Sequence, residues 1–294
     1  MNILITGGTG LLGNSLVEIL SRTFDVYATY NDYYINKNNF FKMDITNERD
    51  IEEIFQKIEP DILIHTAALT NVDLCEENKV FAKKINFQGT KYLSKICASH
   101  GIKMIYISTD YVFDGNKGNY TESDVPKPIN YYGKTKLDGE EAIKNILDEY
   151  IIIRTSLYGW NIQDKLSFSE WIIKNLSSES KIKAITDQYS SLMFTDNLSE
   201  IIANMVSKEY NGIFNVSSFE SISKYEFALK LAEIFGLDSE LISPILSKEI
   251  YPLKSLKAQR PKDTSLNTSK IIDFGLKMPS IRQGLENMKL SKRI

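Results

Sequence analysis

NILITGGTGLLG, residues 2–13, is the stretch on which the fold turns. Residues 2–6 form a short apolar run of strand length. Gly7, Gly8, Thr9 and Gly10 break it, and Leu11, Leu12, Leu16, Ile19 and Leu20 then recur at helical spacing. That order is strand, tight turn, helix.

Outward from there the alternation repeats. Residues 26–30 read as a strand, 47–58 as a helix, 62–65 as a strand, 76–99 as one long helix and 103–107 as a strand. Past Ser108 a turn-rich segment, residues 114–130, carries Gly115, Gly118, Pro126 and Pro128. A helix over 132–147 and a buried strand over 151–155 (IIIRT) follow. Strands alternating with helices require right-handed crossovers and a parallel sheet covered on both faces. The expected architecture is therefore α/β: a Rossmann-type doubly wound parallel sheet over residues 1–157, rejoined by a strand near 212–217 (GIFNVS). A smaller, mostly helical C-terminal substrate domain over 158–294 has helices at 167–176, 197–206 and 224–235.

The 294 residues are 43% hydrophobic and 25% charged, which suits one well-filled globular unit and excludes disordered or fibrous classes. A formal net charge of −3, with Lys and Arg scattered among acids, gives nucleic-acid binding no electrostatic support. Cys75 and Cys97 have neither C-x-x-C spacing nor a metal-ligand partner, so two free, packed thiols and a reducing, cytoplasmic setting are expected. No basic leader or apolar stretch approaching roughly 18 residues suggests export or a membrane span.

The glycines recur as G-x-x-G-x-x-G between a strand and a helix, the context a phosphate-binding turn requires. Gly7 permits the turn, Gly10 lets backbone approach a pyrophosphate and Gly13 lets helix and sheet pack, with the anion at the helix N-terminus. A second signal is Tyr132-Gly-Lys-Thr-Lys136, a Y-x-x-x-K at a helix start, which sets an ammonium beside a phenol one turn away. A phenol of pKa about 10 is a poor proton shuttle at neutral pH, and a neighbouring cation moves it toward the useful range. Tyr33 and Lys37 share the spacing but lie in an asparagine-rich loop, whereas Tyr132 follows a strand closed by Ser108, Thr109 and Asp110. At such carboxyl ends parallel sheets bind ligands, and a hydroxyl there holds a carbonyl oxygen for protonation; taken alone, these side chains serve equally well as local caps. Asp32 stands near the spacing of a ribose-binding acid, and no arginine stands where a 2′-phosphate would need one. His65, on an apolar strand, reads as a satisfied structural residue, and Trp160 and Trp171 as packing.

Together TGGTGLLG, HTAALTNVDLCE from His65, IN-x-x-GT from Ile85, STDYVFDG from Ser108, YYGKTKLDGE from Tyr131 and RTSLYG from Arg154 resemble the extended short-chain dehydrogenases. STDYVFDG and RPKDTSLNTSKI from Arg260 resemble the dTDP-4-dehydrorhamnose reductases in particular, and the likeness spans nearly the whole chain. It implies an NADPH- (or NADH-) dependent oxidoreductase of carbohydrate biosynthesis. Such an enzyme reduces the 4-keto group of a nucleotide-diphospho-6-deoxysugar.

The resemblance assigns Thr109, Tyr132 and Lys136 to catalysis, with Asn86 supporting a proton path. Tyr132 would protonate the keto oxygen and Lys136 would also hold the nicotinamide ribose. Gly7, Thr9, Gly10, Leu11, Leu12, Gly13, Tyr30, Asp44, Ile45, Ala67 and Ala68 would hold the dinucleotide, and Thr109, Asp110, Val112, Phe113 and Arg260 the sugar nucleotide, Arg260 by a bidentate phosphate contact. Pocket walls are expected in residues 114–130, 160–168, 187–194 and 251–267.

Two departures matter. Tyr111 stands where related 4,6-dehydratases carry a catalytic glutamate, which disfavours dehydration, and Ser15 stands where some reductases carry a glutamate that binds a metal at a dimer contact. No metal is expected, and a homodimer is left open. The chain also resembles the regulatory β subunit of methionine adenosyltransferase, which implies the alternative of a dinucleotide-binding subunit without turnover. An epimerase on the same fold is a third reading.

Overall fold

The computed structural model describes residues 1–253 and 256–291. Lys254 and Ser255 of the expected pocket segment 251–267, and residues 292–294 of the expected second domain, lie outside the described residues.

The apolar runs become the strands β1 (Asn2–Thr6), β2 (Asp25–Tyr30), β3 (Phe40–Lys42), β4 (Ile62–His65), β5 (Lys103–Ile107) and β6 (Tyr150–Arg154). After the short strands β7 (Ser156–Tyr158), β8 (Ile182–Ile185), β9 (Tyr189–Ser190) and β10 (Leu192–Phe194), β11 (Gly212–Asn215) returns to the main sheet beside β6. The sheet is parallel throughout, in the order β11-β6-β5-β4-β1-β2-β3. Strand side chains alternate between its faces. Ile3, Ile5, Ile64, Ile105 and Ile153 pack with α1 (Leu11–Leu20) and, beyond it in sequence, α8 (Thr195–Val206). Leu4, Leu63, Met104 and Ile152 pack on the other side against α2 (Glu48–Ile58), α5 (Thr90–His100) and α6 (Tyr131–Ile146). Burial on both faces explains why these strands read as continuous apolar runs.

The long helix expected over 76–99 is broken into α3 (Val72–Glu77), α4 (Lys79–Lys83), a π-helical segment Lys84–Gly89, and α5. Asn78 causes the first break: its backbone leaves the helix at φ −125°, ψ 74°, and its side chain accepts the Phe81 N–H at 3.0 Å, a cap that starts a new helix. The π segment is a local widening of a kind found where function needs a side chain re-aimed, and it carries Asn86.

Beyond β6, α7 (Phe168–Ser177) and α9 (Lys224–Phe235) enclose a separate core with Tyr158, Phe194, Ile281 and Leu285. Both start with a reciprocal capping box, Ser167–Glu170 and Ser223–Glu226, which fixes the helix starts foreseen at 167 and 224. This half is not only helical: β7 pairs with β10, β12 (Ile222–Ser223) with β9, and β13 (Ile242–Ile245) with β8. Strands of two to four residues are too short to display a period of two, so periodicity passed over them and over β3. More of the chain beyond residue 157 returns to the first core than one strand, since Ile202, Met205, Ile271, Leu276 and Met278 pack there. Among the described residues, no helix is long and apolar enough to cross a membrane.

α1 meets the turn so closely that a Cβ at Gly13 would lie 2.1 Å from the Gly7 carbonyl oxygen. Gly13→Ala is therefore expected to destabilise the fold by about 1–3 kcal/mol, read as a lower urea midpoint at unchanged m-value. An unchanged midpoint would show that this contact is slack.

Candidate active site

The sheet order reverses between β1 and β4: the chain runs from β1 outward to β3 and then crosses back to β4. Loops leaving the two strands diverge there and open a crevice at the carboxyl ends, where ligands of open α/β sheets bind. The crevice is a cleft of about 930 Å3. Gly7, Thr9, Gly10, Leu11, Leu12, Gly13, Tyr30, Asp44, Ile45, Ala67 and Ala68, the residues expected to hold a dinucleotide, all line it, as does the exposed Asp32 just past β2. In the turn Gly7 has φ +69° and its carbonyl accepts the Gly10 N–H at 2.8 Å. No side chain caps α1 at Gly10, so its first N–H groups are available to an anion. A pyrophosphate fits that cradle. One closure went unforeseen in the sequence: Gln163 Nε2 donates to the Thr9 carbonyl at 3.0 Å and the Tyr33 hydroxyl to the Ile162 carbonyl at 2.8 Å, fastening part of the 160–168 segment across the cleft.

At the other end of the cleft stand Thr109, Asp110, Tyr132 and Lys136. Thr109 caps a single 3-10 turn (Asp110–Val112), its hydroxyl oxygen accepting the Tyr111 N–H at 3.2 Å. Asn130 caps α6 by accepting the Gly133 N–H at 2.9 Å. Gly133 is required because a Cβ there would lie 2.1 Å from the Tyr111 carbonyl oxygen. The start of α6 thus presses on the turn, and the Tyr132 phenol comes within hydrogen-bond reach of Thr109. Lys136, 3% exposed, lies with Nζ 4.0 Å from the centroid of the Tyr106 ring.

Burial dominates the electrostatics of these groups. It pushes the Tyr132 phenol well above its ordinary range against the Thr109 hydrogen bond, with Asp110 and Cys75 adding to the rise. The expectation that the neighbouring ammonium lowers this phenol is thus reversed, since desolvation is the larger effect. Lys136 is pulled down to about 7 by burial, with the Glu140 carboxylate opposing. Burial raises Asp110 to about 6 despite hydrogen bonds from Thr264 and Thr109.

Asn86 lies behind this set. Its Oδ1 accepts the Leu69 N–H at 2.7 Å, and its Nδ2 donates to the Leu69 carbonyl and to Thr135 Oγ1, each at 3.0 Å. Thr135 in turn donates to the Tyr132 carbonyl at 2.8 Å. Asn86 therefore ties the loop after β4 to the first turn of α6, which carries Tyr132. His65 is satisfied as expected. Thr90 Oγ1 donates to the Asn86 carbonyl at 2.7 Å, so it accepts from His65 Nε2–H at 3.0 Å, which leaves Nδ1 to accept the Thr6 hydroxyl at 2.7 Å. Burial and then Lys136 hold this imidazole neutral.

Three expected substrate residues are placed elsewhere. Val112 and Phe113 are fully buried with Tyr120 and Leu266, Phe113 stacking on Tyr120 at 4.2 Å; the 3-10 turn directs both inward. Arg260 is committed to Asp73, with Nη1 and Nη2 donating at 2.7 and 2.5 Å to the two carboxylate oxygens. Asp73 also accepts the Lys257 and Ala258 N–H groups, so this pair stitches the late segment to α3. Ser15 donates to Asp196 at 2.6 Å inside the contact between α1 and α8.

A second cavity of about 250 Å3 shares Tyr111, Ser156 and Leu157 with the cleft; Gln188 and Thr264 come to it from the expected pocket segments 187–194 and 251–267, whereas its Lys224 was not foreseen. Lys224, the first residue of α9, donates to Gln188 Oε1 at 2.9 Å and faces Asp110. A lysine opening a capping box, where the helix dipole disfavours a cation, was the available signal.

Comparison with known proteins agrees with this geometry. The family model described as the RmlD substrate binding domain matches residues 1–292. A crystal structure of dTDP-4-dehydrorhamnose reductase from Bacillus anthracis in complex with NADP superposes with a TM-score of 0.89 at 32% identity, covering 99% of each chain. The spore coat polysaccharide biosynthesis protein SpsK of Bacillus subtilis is 32% identical over 286 residues, 96% of this chain and 95% of that protein. Methionine adenosyltransferase 2 subunit beta of Rattus norvegicus is 30% identical over 283 residues, 93% of this chain and 82% of that protein. With its fold, its glycine turn and its Tyr132–Lys136 pair in one cleft, the chain belongs to the RmlD substrate-binding family.

Proposed function

We propose that the chain reduces the 4-keto group of a nucleotide-diphospho-6-deoxysugar, using NADPH or NADH. The observation that carries this reading is the convergence of the glycine turn with Thr109, Tyr132 and Lys136 on one cleft. The likeness to a dTDP-4-dehydrorhamnose reductase bound to NADP supports the cofactor and the substrate class.

A bound reduced nicotinamide dinucleotide supplies the hydride. The protein's share is to hold the reacting carbon near it and deliver a proton. The uncapped N–H groups of α1 would bind the pyrophosphate, and Asp44 and Ile45, which line the cleft, would flank the adenine. Thr109, turning its one hydroxyl proton away from Asp110, would hold the keto oxygen. Because burial keeps Tyr132 protonated, its phenol is the donor to that oxygen, and the charge left on it falls beside the Lys136 ammonium. Tyr111, in place of a basic glutamate, lies edge-on to Tyr132 at 6.2 Å and offers no base for dehydration. Asp110, ionised above about pH 6, accepts a sugar hydroxyl.

A second reading, a dinucleotide-binding subunit without turnover, is favoured by the likeness to methionine adenosyltransferase 2 subunit beta. The two readings separate in one assay. Loss of absorbance at 340 nm is expected with NADPH and a 4-keto-6-deoxysugar nucleotide from a panel of dTDP, UDP and GDP forms, and Tyr132→Phe should lower kcat by about 10²- to 10⁴-fold. Binding of the dinucleotide with no oxidation on any sugar would select the second reading.

The pH dependence follows from Asp110. Its carboxylate is present above about 6 and lost below, so KM for the sugar nucleotide should rise as pH falls through that value. In Asp110→Asn, KM should be raised throughout and flat across the same range. A wild-type KM that stays level from pH 7.5 to 5 would contradict the role given to this carboxylate.

A further inference from the structure

Glu140, last residue of the motif YYGKTKLDGE, was given no role by the sequence reading. It lies four residues after Lys136 on α6, hence on the same helix face. The side chain is fully buried and meets three donors from two other elements. Ser108 Oγ donates to Oε1 at 2.5 Å, Arg154 Nε to Oε1 at 3.0 Å and Arg154 Nη2 to Oε2 at 2.6 Å. Arg154, at the end of β6, is 2% exposed, and its guanidinium faces the Phe113 ring at 5.1 Å.

As a stability device this pair is poor. Burying two charges carries a large desolvation penalty, and apolar residues of like volume often do as well or better. Arg154 Nη1 is moreover buried without a hydrogen-bond partner. What the arrangement achieves is placement. One carboxylate grips Ser108, the residue before Thr109, and stands one turn from Lys136, so it ties the hydroxyl and the ammonium of the site to a common point.

It is also the charge that Lys136 needs. The groups that act on this ammonium or lie against it come from every side. Tyr132 and Glu140 are on α6, Tyr106 is on β5, His65 on β4 and Cys75 on α3. On β6 Arg154 is paired with Glu140, while Lys83 of α4 faces Asp138. Burial keeps most of these neutral: it lowers His65 and raises Tyr106, Tyr132 and Cys75, the last to about 11. The carboxylate of Glu140 is the countercharge that remains.

We propose that Glu140, anchored by Arg154 and Ser108, is a positioning residue that keeps the buried Lys136 protonated and fixed against the Thr109–Tyr132 pair. Its catalytic meaning rests on the reductase reading above, whereas its effect on Lys136 does not. The test is therefore the titration midpoint of Lys136, followed by NMR in the full chain carrying 13C-labelled lysine, alongside the pH profile of kcat/KM.

In Glu140→Gln the midpoint and the alkaline limb of the profile should fall together by about one pH unit, and Glu140→Asp should restore most of both. Because Glu140→Gln leaves Arg154 uncompensated and can unfold the chain, Glu140→Gln/Arg154→Met removes the pair as a unit; with the nearby cation lost as well, the fall should keep its sign and be smaller. A Lys136 midpoint unmoved in the folded variants would overturn the proposal. If no sugar is turned over, the reductase reading fails while the NMR midpoint still decides the role of Glu140.

Discussion

The cleft depends first on a steric constraint at the end of β1. Gly7 is held between two backbones: a Cβ there would lie 2.9 Å from Ala67 Cα, while a Cβ at Gly13 would strike the Gly7 carbonyl. Only glycine at positions 7 and 13 lets α1 and the loop after β4 converge where the sheet reverses its order. With that approach made, the uncapped N–H groups of α1 open onto the crevice, and Thr6, His65, Thr90 and Asn86 form one buried hydrogen-bonded path from β1 toward α6. Sterics at the glycines and polar satisfaction behind them thus serve the same end, a cofactor cradle held rigidly beside α6.

The chemistry at the far end of the cleft works against burial. Desolvation keeps the Tyr132 phenol protonated, which suits a proton donor, but it also draws Lys136 toward neutrality and Asp110 toward its acid form. Each is offset by a neighbour from elsewhere in the chain. Glu140 opposes the loss of charge on Lys136, and Thr264 and Lys224 of the C-terminal half hold the carboxylate of Asp110. The same half reaches the first through Gln163 on Thr9, Arg260 on Asp73 and Asn130 on the Gln259 carbonyl. The cleft is therefore a joint construction of both halves, with Tyr132 and Lys136 on one and part of their electrostatic setting on the other.

Much of this was legible in the sequence because local chemistry dictated it. The strand, glycine turn and helix of residues 2–20 and the helix starts near 47, 132, 167 and 224 were readable locally, and the caps at Asn47 and Asn130 and the capping boxes at Ser167 and Ser223 are the local chemistry that fixes them. What stayed hidden depends on contacts distant in sequence. The 3-10 turn that sends Val112 and Phe113 inward follows from packing on Tyr120 and Leu266. Arg260 finds Asp73 across 187 residues. The direction in which the Tyr132 phenol titrates depends on how deeply α6 is buried, which a Y-x-x-x-K spacing does not encode. The break at Asn78 was in principle readable, since an asparagine three residues before Phe81 is a cap signal, but the helical period around it masked the stop.

The central claim is that this cleft delivers a hydride to C4 of a nucleotide-linked keto sugar and a proton from Tyr132 to its oxygen. It is tested most directly by following deuterium from NADPH labelled at nicotinamide C4 into the sugar product by NMR. One deuterium at sugar C4 for each dinucleotide oxidised is the expected result. Dinucleotide bound without label transfer, or label at any other carbon, would contradict it.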